Sequence, residues 1–246
     1  MMEVTLKDAV GWTLPDAQSR LGDLEWRAED RPDDFRYATF GEGNKHLRVI
    51  ADGWQVAAGK LCARYARIQA ALADVATLMV YPTASPDLLP VFACEWVILG
   101  DRAHVLVLDV ECVGGSRPLR DRASEALAPL HARYVASLPT ADNLPQWFSE
   151  IREPWAFFTS GDLARLSVMR EAFQHYLDAT AATLYAPWLK EARAGEDHPA
   201  IQAYKRHHAA HSPGYALLAP RAGESWTRRF LHDWHFGPAR PAARER

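Results

Sequence analysis

Alternation is clearest between Leu89 and Val113, in LPVFACEWVILGDRAHVLVLDVECV. Strand side chains point to opposite faces in turn. A first strand here would set Val91, Ala93, Glu95, Val97 and Leu99 on one face and Phe92, Cys94, Trp96 and Ile98 on the other. A turn at Gly100-Asp101-Arg102 leads into a second strand with the same period. Glu95 is the polar group in the middle of a strand that is apolar on both faces. A carboxylate in that setting costs free energy unless it is paired, hydrogen-bonded or protonated.

The rest of the chain reads around this pair. Asp34 to Ile50 alternates weakly about Gly41-Glu42-Gly43-Asn44, a hairpin signal. Val56 to Ala76 reads as a helix, with Leu61, Tyr65, Ile68 and Leu72 recurring every three or four residues. Thr77 to Tyr81 is a short strand ended by Pro82. Arg117 to Ser137 carries the stripe Leu119, Ala123, Leu127, Leu130 and Tyr134 of an amphipathic helix. Pro139 to Pro154 is a loop bearing Trp147. Leu163 to Tyr185 is the most regular helical pattern, and Pro199 to Ala210 and Ser225 to Trp234 are two more. Residues 1–35 are polar and read as a variable edge segment, and residues 239–246 as a frayed tail. No linker divides residues 1–246, so one domain is expected. Strands gather before residue 115 and helices after it. That segregation predicts an α+β fold, an α/β/α sandwich whose central, mostly antiparallel sheet is flanked by helices.

Charge and composition narrow the partners. The formal net charge is −3, and nucleic acid or an acidic membrane surface calls for a basic protein. No apolar run reaches the roughly 20 residues that span a bilayer, and the opening MMEVTLKDAVGW does not read as a signal peptide. The three cysteines, Cys62, Cys94 and Cys112, have no CxxC spacing. A reduced, cytoplasmic protein without a disulfide framework is expected, with a monomer as its state. Nine Trp, eight Tyr and nine Phe fill a core or line a pocket for a large flat ligand.

The chain lacks GxGxxG, GxxxxGK[ST], GxSxG and HExxH motifs. A redox enzyme built on it would take its electrons from outside. Four histidines fall between 198 and 211, and His207 and His211 are four apart, on one helix face. The pair reads either as a solvated helix end or as functional. A tetrahedral metal set is not apparent, so no metal is expected. His232 and His235 read as structural. Lys60, Arg64 and Arg67 form a basic stripe on the predicted helix, either a solvated face or a site for carboxylates. Asp109 and Glu111 share a strand face. Glu111, near the strand end, reads as solvated, which leaves Asp109 as the second acid candidate.

LPVFACEW, the following strand ending LVLDV, LPQWFSEI and the closing AGESWTRRFLHDWHF together resemble the ferredoxin-dependent bilin reductases. That family has a strand ending in an aromatic-Pro pair, here Tyr81-Pro82, then a Pro-rich loop and L-P-x-F-G-x-D. The resemblance extends over about residues 45–238. It places Glu95 at the family's catalytic Asp and Ala93 at a Gly. Thr77 falls where members that make phycocyanobilin carry a His, Arg64 near their Glu, and Ser212 where other members use an Asp.

The resemblance implies reduction of a linear tetrapyrrole such as biliverdin, as in phycobilin biosynthesis. Reduced ferredoxin would be the external electron donor, with no bound cofactor. Glu95 would protonate the substrate, with His207 or His211 as second donor. Lys60 and Arg64 would hold the propionates, with Thr77, Asp109, Trp147 and Ser212 along the substrate. Two other readings stay open: a tetrapyrrole binder that reduces nothing, and a structural domain whose Glu95 is hydrogen-bonded in a core.

Overall fold

The structure is a computed structural model and describes residues 9–43 and 46–240. Its centre is one antiparallel sheet of eight strands. These are β1 (Trp26–Ala28), β2 (Tyr37–Phe40), β3 (Leu47–Val56), β4 (Leu61–Ala70), β5 (Ala73–Pro82), β6 (Val91–Leu99), β7 (Arg102–Glu111) and β8 (Phe157–Asp162). The spatial order is β1-β3-β4-β5-β6-β7-β8, and β2 also pairs with β3. The β2–β3 pair is the hairpin expected over residues 34–50; Asn44 lies outside the described residues.

The alternation in β6 is realised. Phe92, Cys94, Trp96 and Ile98 are buried on one face, while Ala93, Glu95 and Val97 are half-buried on the other. The turn into β7 places Gly100 at φ +59°, a left-handed conformation in which glycine carries no Cβ penalty.

Helices cover both faces, which makes the expected three-layer sandwich; two of them, α2 (Asp33–Arg36) and α4 (Gln146–Ser149), are single short turns. On the Trp96 face lie α1 (Thr13–Arg20), α3 (Arg117–Tyr134) and α5 (Ala164–Ala179), the last continuing as a π-helical turn over Thr180–Tyr185. Here Phe173 packs edge-on against Phe92 and Trp96 at 5.7 and 5.6 Å. Each such side chain contributes roughly 1.5–3 kcal/mol on full burial, and this layer holds the larger core. Val10, Ala17 and Leu21 are fully buried in it, so the polar segment before residue 35 is built into the core as well as covering an edge.

The opposite face carries α6 (Pro199–His211), α7 (Gly214–Ala222) and α8 (Glu224–Arg228), which runs on as a π-helical turn over Arg229–His235. His198 caps α6 by accepting from the Ala200 amide at 3.2 Å, and Pro199 takes the first turn, where its missing N–H costs nothing. Lys205 then ties α6 down, with Nζ at 2.7 Å from Asp197 and 2.9 Å from the Gly237 carbonyl. At the other end Trp234 lies flat on β3. It can do so because residue 53 is glycine: a Cβ there would sit 3.0 Å from the Trp234 ring and 2.8 Å from a Glu29 oxygen.

The helix expected over Val56–Ala76 does not form. The segment is the end of β3, all of β4 and the start of β5, with β4 and β5 in register from Leu61↔Pro82 to Ala70↔Ala73. β4 is central and covered on both sides, so apolar residues occupy both faces and period-2 alternation is hidden. Its Ala content and chance spacing imitate a helix. The supposed basic stripe dissolves with it. Arg64 and Arg67 belong to opposite faces of a strand, and Lys60 sits in the preceding turn.

The last expected element, Ser225 to Trp234, is present as α8 and its π-helical continuation. Ala239 and Arg240, placed in the frayed tail, donate backbone N–H groups to Asp197 and Glu29 at 3.2 and 2.9 Å; residues 241–246 lie outside the described residues. The three cysteines are free and buried. Among the described residues no helix is long and apolar enough to cross a membrane.

Candidate functional site

Between the sheet and the second helical layer lies an open cavity with about 1210 Å³ of space free of protein atoms, part of it open solvent. It exists because the roof meets the sheet at two separated places. Phe230, Leu231 and Trp234 pack on β3 and β4, and Ile201 and Tyr204 pack on Met79, Tyr81 and Val91. Over β5 to β7 between them the sheet is uncovered. Its floor there is the apolar set Ala66, Met79, Ala93 and Val107, with Phe148, Phe158 and Trp147 on one side.

Strand register sets the polar groups on this floor. Ala66, Thr77, Glu95 and Val107 stand opposite one another in a single row across β4, β5, β6 and β7. Glu95 is therefore flanked by a hydroxyl on one side and valine on the other. Burial among apolar walls pushes its carboxyl up to about 7, so near neutrality a large share is the neutral acid, able to give a proton. Thr77 Oγ1 lies 3.0 Å from His235 Nε2. His235 descends from the roof into the same cavity, and burial together with the Arg64 and Lys205 charges holds its imidazole down at about 3. It is a neutral hydrogen-bonding group.

A second polar cluster stands further along β7. Glu111, read from sequence as solvated, is buried. Its Oε1 accepts from the Tyr204 hydroxyl at 3.0 Å and lies 3.9 Å from His208 Nε2. Tyr204 and His208 are one helical turn apart on the sheet-facing side of α6, and both line the cavity.

The residues singled out from sequence divide accordingly. Glu95, Thr77, Trp147, His211 and Ser212 line the cavity. His211 is exposed at its mouth, its ring stacked on Trp147 at 5.2 Å.

His207, Lys60, Arg64 and Asp109 do not line it. His207 packs its ring against Trp147 and His211 at 5.7 and 4.5 Å, and its i+1 neighbour His208 takes the inward position. Lys60 donates to the Leu189 carbonyl. Arg64 is fully buried: it pairs with Glu29 at 2.7 Å, donates to the Trp234 carbonyl at 2.9 Å and lies over the Trp234 ring. Asp109 is also fully buried, accepting from the Val110 and Glu153 amides at 2.7 and 3.2 Å.

Glu111, Tyr204, His208 and His235 were not foreseen as site residues. The i, i+4 spacing of Tyr204 and His208, and the shared strand face of Asp109 and Glu111, were the available signals. Among the described residues no three His, Cys, Asp or Glu side chains are grouped so as to hold a metal ion.

A three-layer sandwich with an open apolar cavity on one sheet face and a buried acid in its floor is the arrangement the chain presents. The sequence agrees. The model of the ferredoxin-dependent bilin reductase family matches residues 17–237, and the chain belongs to that family, whose members are oxidoreductases acting on bilins. A crystal structure of phytochromobilin synthase from tomato, in complex with biliverdin, has the same fold. Its TM-score is 0.68 at 16% identity, with 94% of this chain and 82% of that chain covered. Curated protein sequences give no significant match.

Proposed function

We propose that this protein reduces a biliverdin-like linear tetrapyrrole, with reduced ferredoxin as the electron donor and Glu95 as a proton donor. The observation that carries the reading is Glu95 itself, an acid in the middle of an apolar cavity floor whose carboxyl burial raises to about 7. A bilin is long, flat and conjugated, so it accepts single electrons and needs protons to match them. Glu95 gives one, and the Thr77–His235 pair beside it offers neutral hydrogen bonds to ligand nitrogen or oxygen. Trp147 supplies an aromatic wall. No Lys or Arg is among the residues that line the cavity, so the two propionates belong at the open mouth, near His211 and Ser212, where water solvates them.

The test has two stages. Biliverdin is added to the protein and its visible spectrum followed; reduced ferredoxin is then supplied without oxygen. Binding followed by consumption is the expected result. A spectral shift without consumption supports a non-reducing binder, and no shift at all removes the reading. Glu95→Gln is expected to bind biliverdin normally and to stall after electron uptake; full turnover by this variant would remove Glu95 as donor.

A further inference from the structure

We propose that Glu111, Tyr204 and His208 form a second proton-transfer site, which serves the end of the bound bilin that Glu95 does not reach. This rests on the bilin-reductase reading and adds a donor to it. The two acids are set apart by the sheet. Glu95 is opposite Val107, and Glu111 lies four residues further along β7 on the same face. At about 3.3 Å per residue and about 4.8 Å between strands, their Cα atoms are roughly 14 Å apart. Neither side chain can act on an atom that the other touches. One elongated conjugated ligand on this floor would meet both.

The cluster is built as a donor would need to be. The Tyr204 hydroxyl bonds Glu111 Oε1 at 3.0 Å, and that bond persists on the carboxylate after the proton leaves. His208 stands 3.9 Å from the same oxygen, with its ring 4.3 Å from Tyr204, and its buried Nε2 has no hydrogen-bond partner. A buried polar nitrogen without a partner is costly in a purely structural cluster; one bridging water, or a ligand, would satisfy it.

The neighbouring charges favour the neutral forms. Burial pushes the Glu111 carboxyl well up, and the nearby Asp109 and Glu153, the latter paired with Arg120, add to it. Asp109 is itself raised by burial to about 8, so the two buried acids titrate as a pair that favours holding a proton. His207 and His211 on α6 oppose protonation of His208, which burial holds at about 3; its ring also stacks near Phe236.

In the step, reduced ferredoxin gives one electron to the bilin and is oxidised by one. The reduced bilin takes the Glu111 proton. The carboxyl O–H bond breaks, its electron pair stays on the carboxylate, and an X–H bond forms on the bilin. The carboxylate regains its proton from bulk solvent at the mouth through a bridging water that His208, neutral throughout, holds at Nε2.

Infrared difference spectra at pH 7 and Glu111→Gln are the tests. The unliganded protein is expected to show a protonated-carboxyl band that this variant lacks and that Asp109→Asn keeps, which separates Glu111 from its acidic neighbour; no such band, or one lost in Asp109→Asn, overturns the proposal whatever the substrate proves to be. With biliverdin and reduced ferredoxin, the variant should bind within about threefold of the parent and lose about 100-fold or more in turnover. It should accumulate a pigment spectrally distinct from that of Glu95→Gln. Parent-like turnover to the same product overturns the proposal. Tyr204→Phe and His208→Gln, expected to fold and to lose about tenfold each in turnover, carry the same test if Glu111→Gln folds poorly; parent-like turnover in both overturns it. Failure of the parent protein to bind or consume biliverdin refutes the proposed function instead, and the infrared band still decides the state of Glu111.

Discussion

Glu95 makes the folded protein hold a proton more tightly than the unfolded chain does. Its carboxyl sits at about 7 rather than the ordinary 4.5, so this contribution to stability is complete below pH 4.5 and is lost as pH rises to 7 and beyond. Glu95→Gln removes the burden. By urea denaturation the variant should match the parent near pH 4.5 and exceed it by about 1–3 kcal/mol at pH 8; parent-like stability at pH 8 would mean that the carboxylate is well solvated. Turnover by the parent should fall above pH 7, as the donor loses its proton. Thr77→Val should cost about 1–2 kcal/mol by leaving His235 Nε2 unbonded, with turnover falling more than biliverdin affinity. At this scale Glu95 was legible, because one acid in an apolar alternation has few explanations. His235 was not. Its contact with Thr77 spans 158 residues, and no local pattern announces it.

Elements decide which charges reach the cavity. On a helix, Lys60 and Arg64 would share a side and could grip propionates; in a turn and a strand they point elsewhere. Lys60→Ala is therefore expected to leave biliverdin affinity within about twofold in a spectral titration, since the side chain only donates to Leu189. Arg64→Met should instead cost about 3–5 kcal/mol of folding stability, because it leaves Glu29 buried without its cation. Chemical denaturation measures this, and a second change, Glu29→Gln, should recover much of the loss. The β4–β5 region misled because a strand covered on both sides has no polar face to reveal its period, whereas β6 and β7 kept theirs. α6 was legible as an element but not in its rotation. His207 and His208 are equally plausible on paper, and only packing against β5 and β6 turns His208 inward.

Over the whole molecule, the cavity joins segments far apart in sequence, so a ligand filling it links sheet and roof. At a hundredfold excess over its Kd, biliverdin adds about 2.7 kcal/mol, which for a chain of this size raises Tm by roughly 5–11 °C. No rise at saturation would mean that the pigment binds outside the cavity. The sandwich was foreseeable from the segregation of strands before helices, yet the gap between roof and sheet was not, since it depends on where two helical contacts happen to fall. The floor comes from residues 61–111 and the roof from residues 199–236, and this order has a consequence during synthesis. A nascent chain has all eight strands out, with the apolar floor bare, before residues 199–236 supply the roof. Translation paused before residue 199 leaves the sheet complete and its apolar floor exposed, so pigment capture has to wait for the roof.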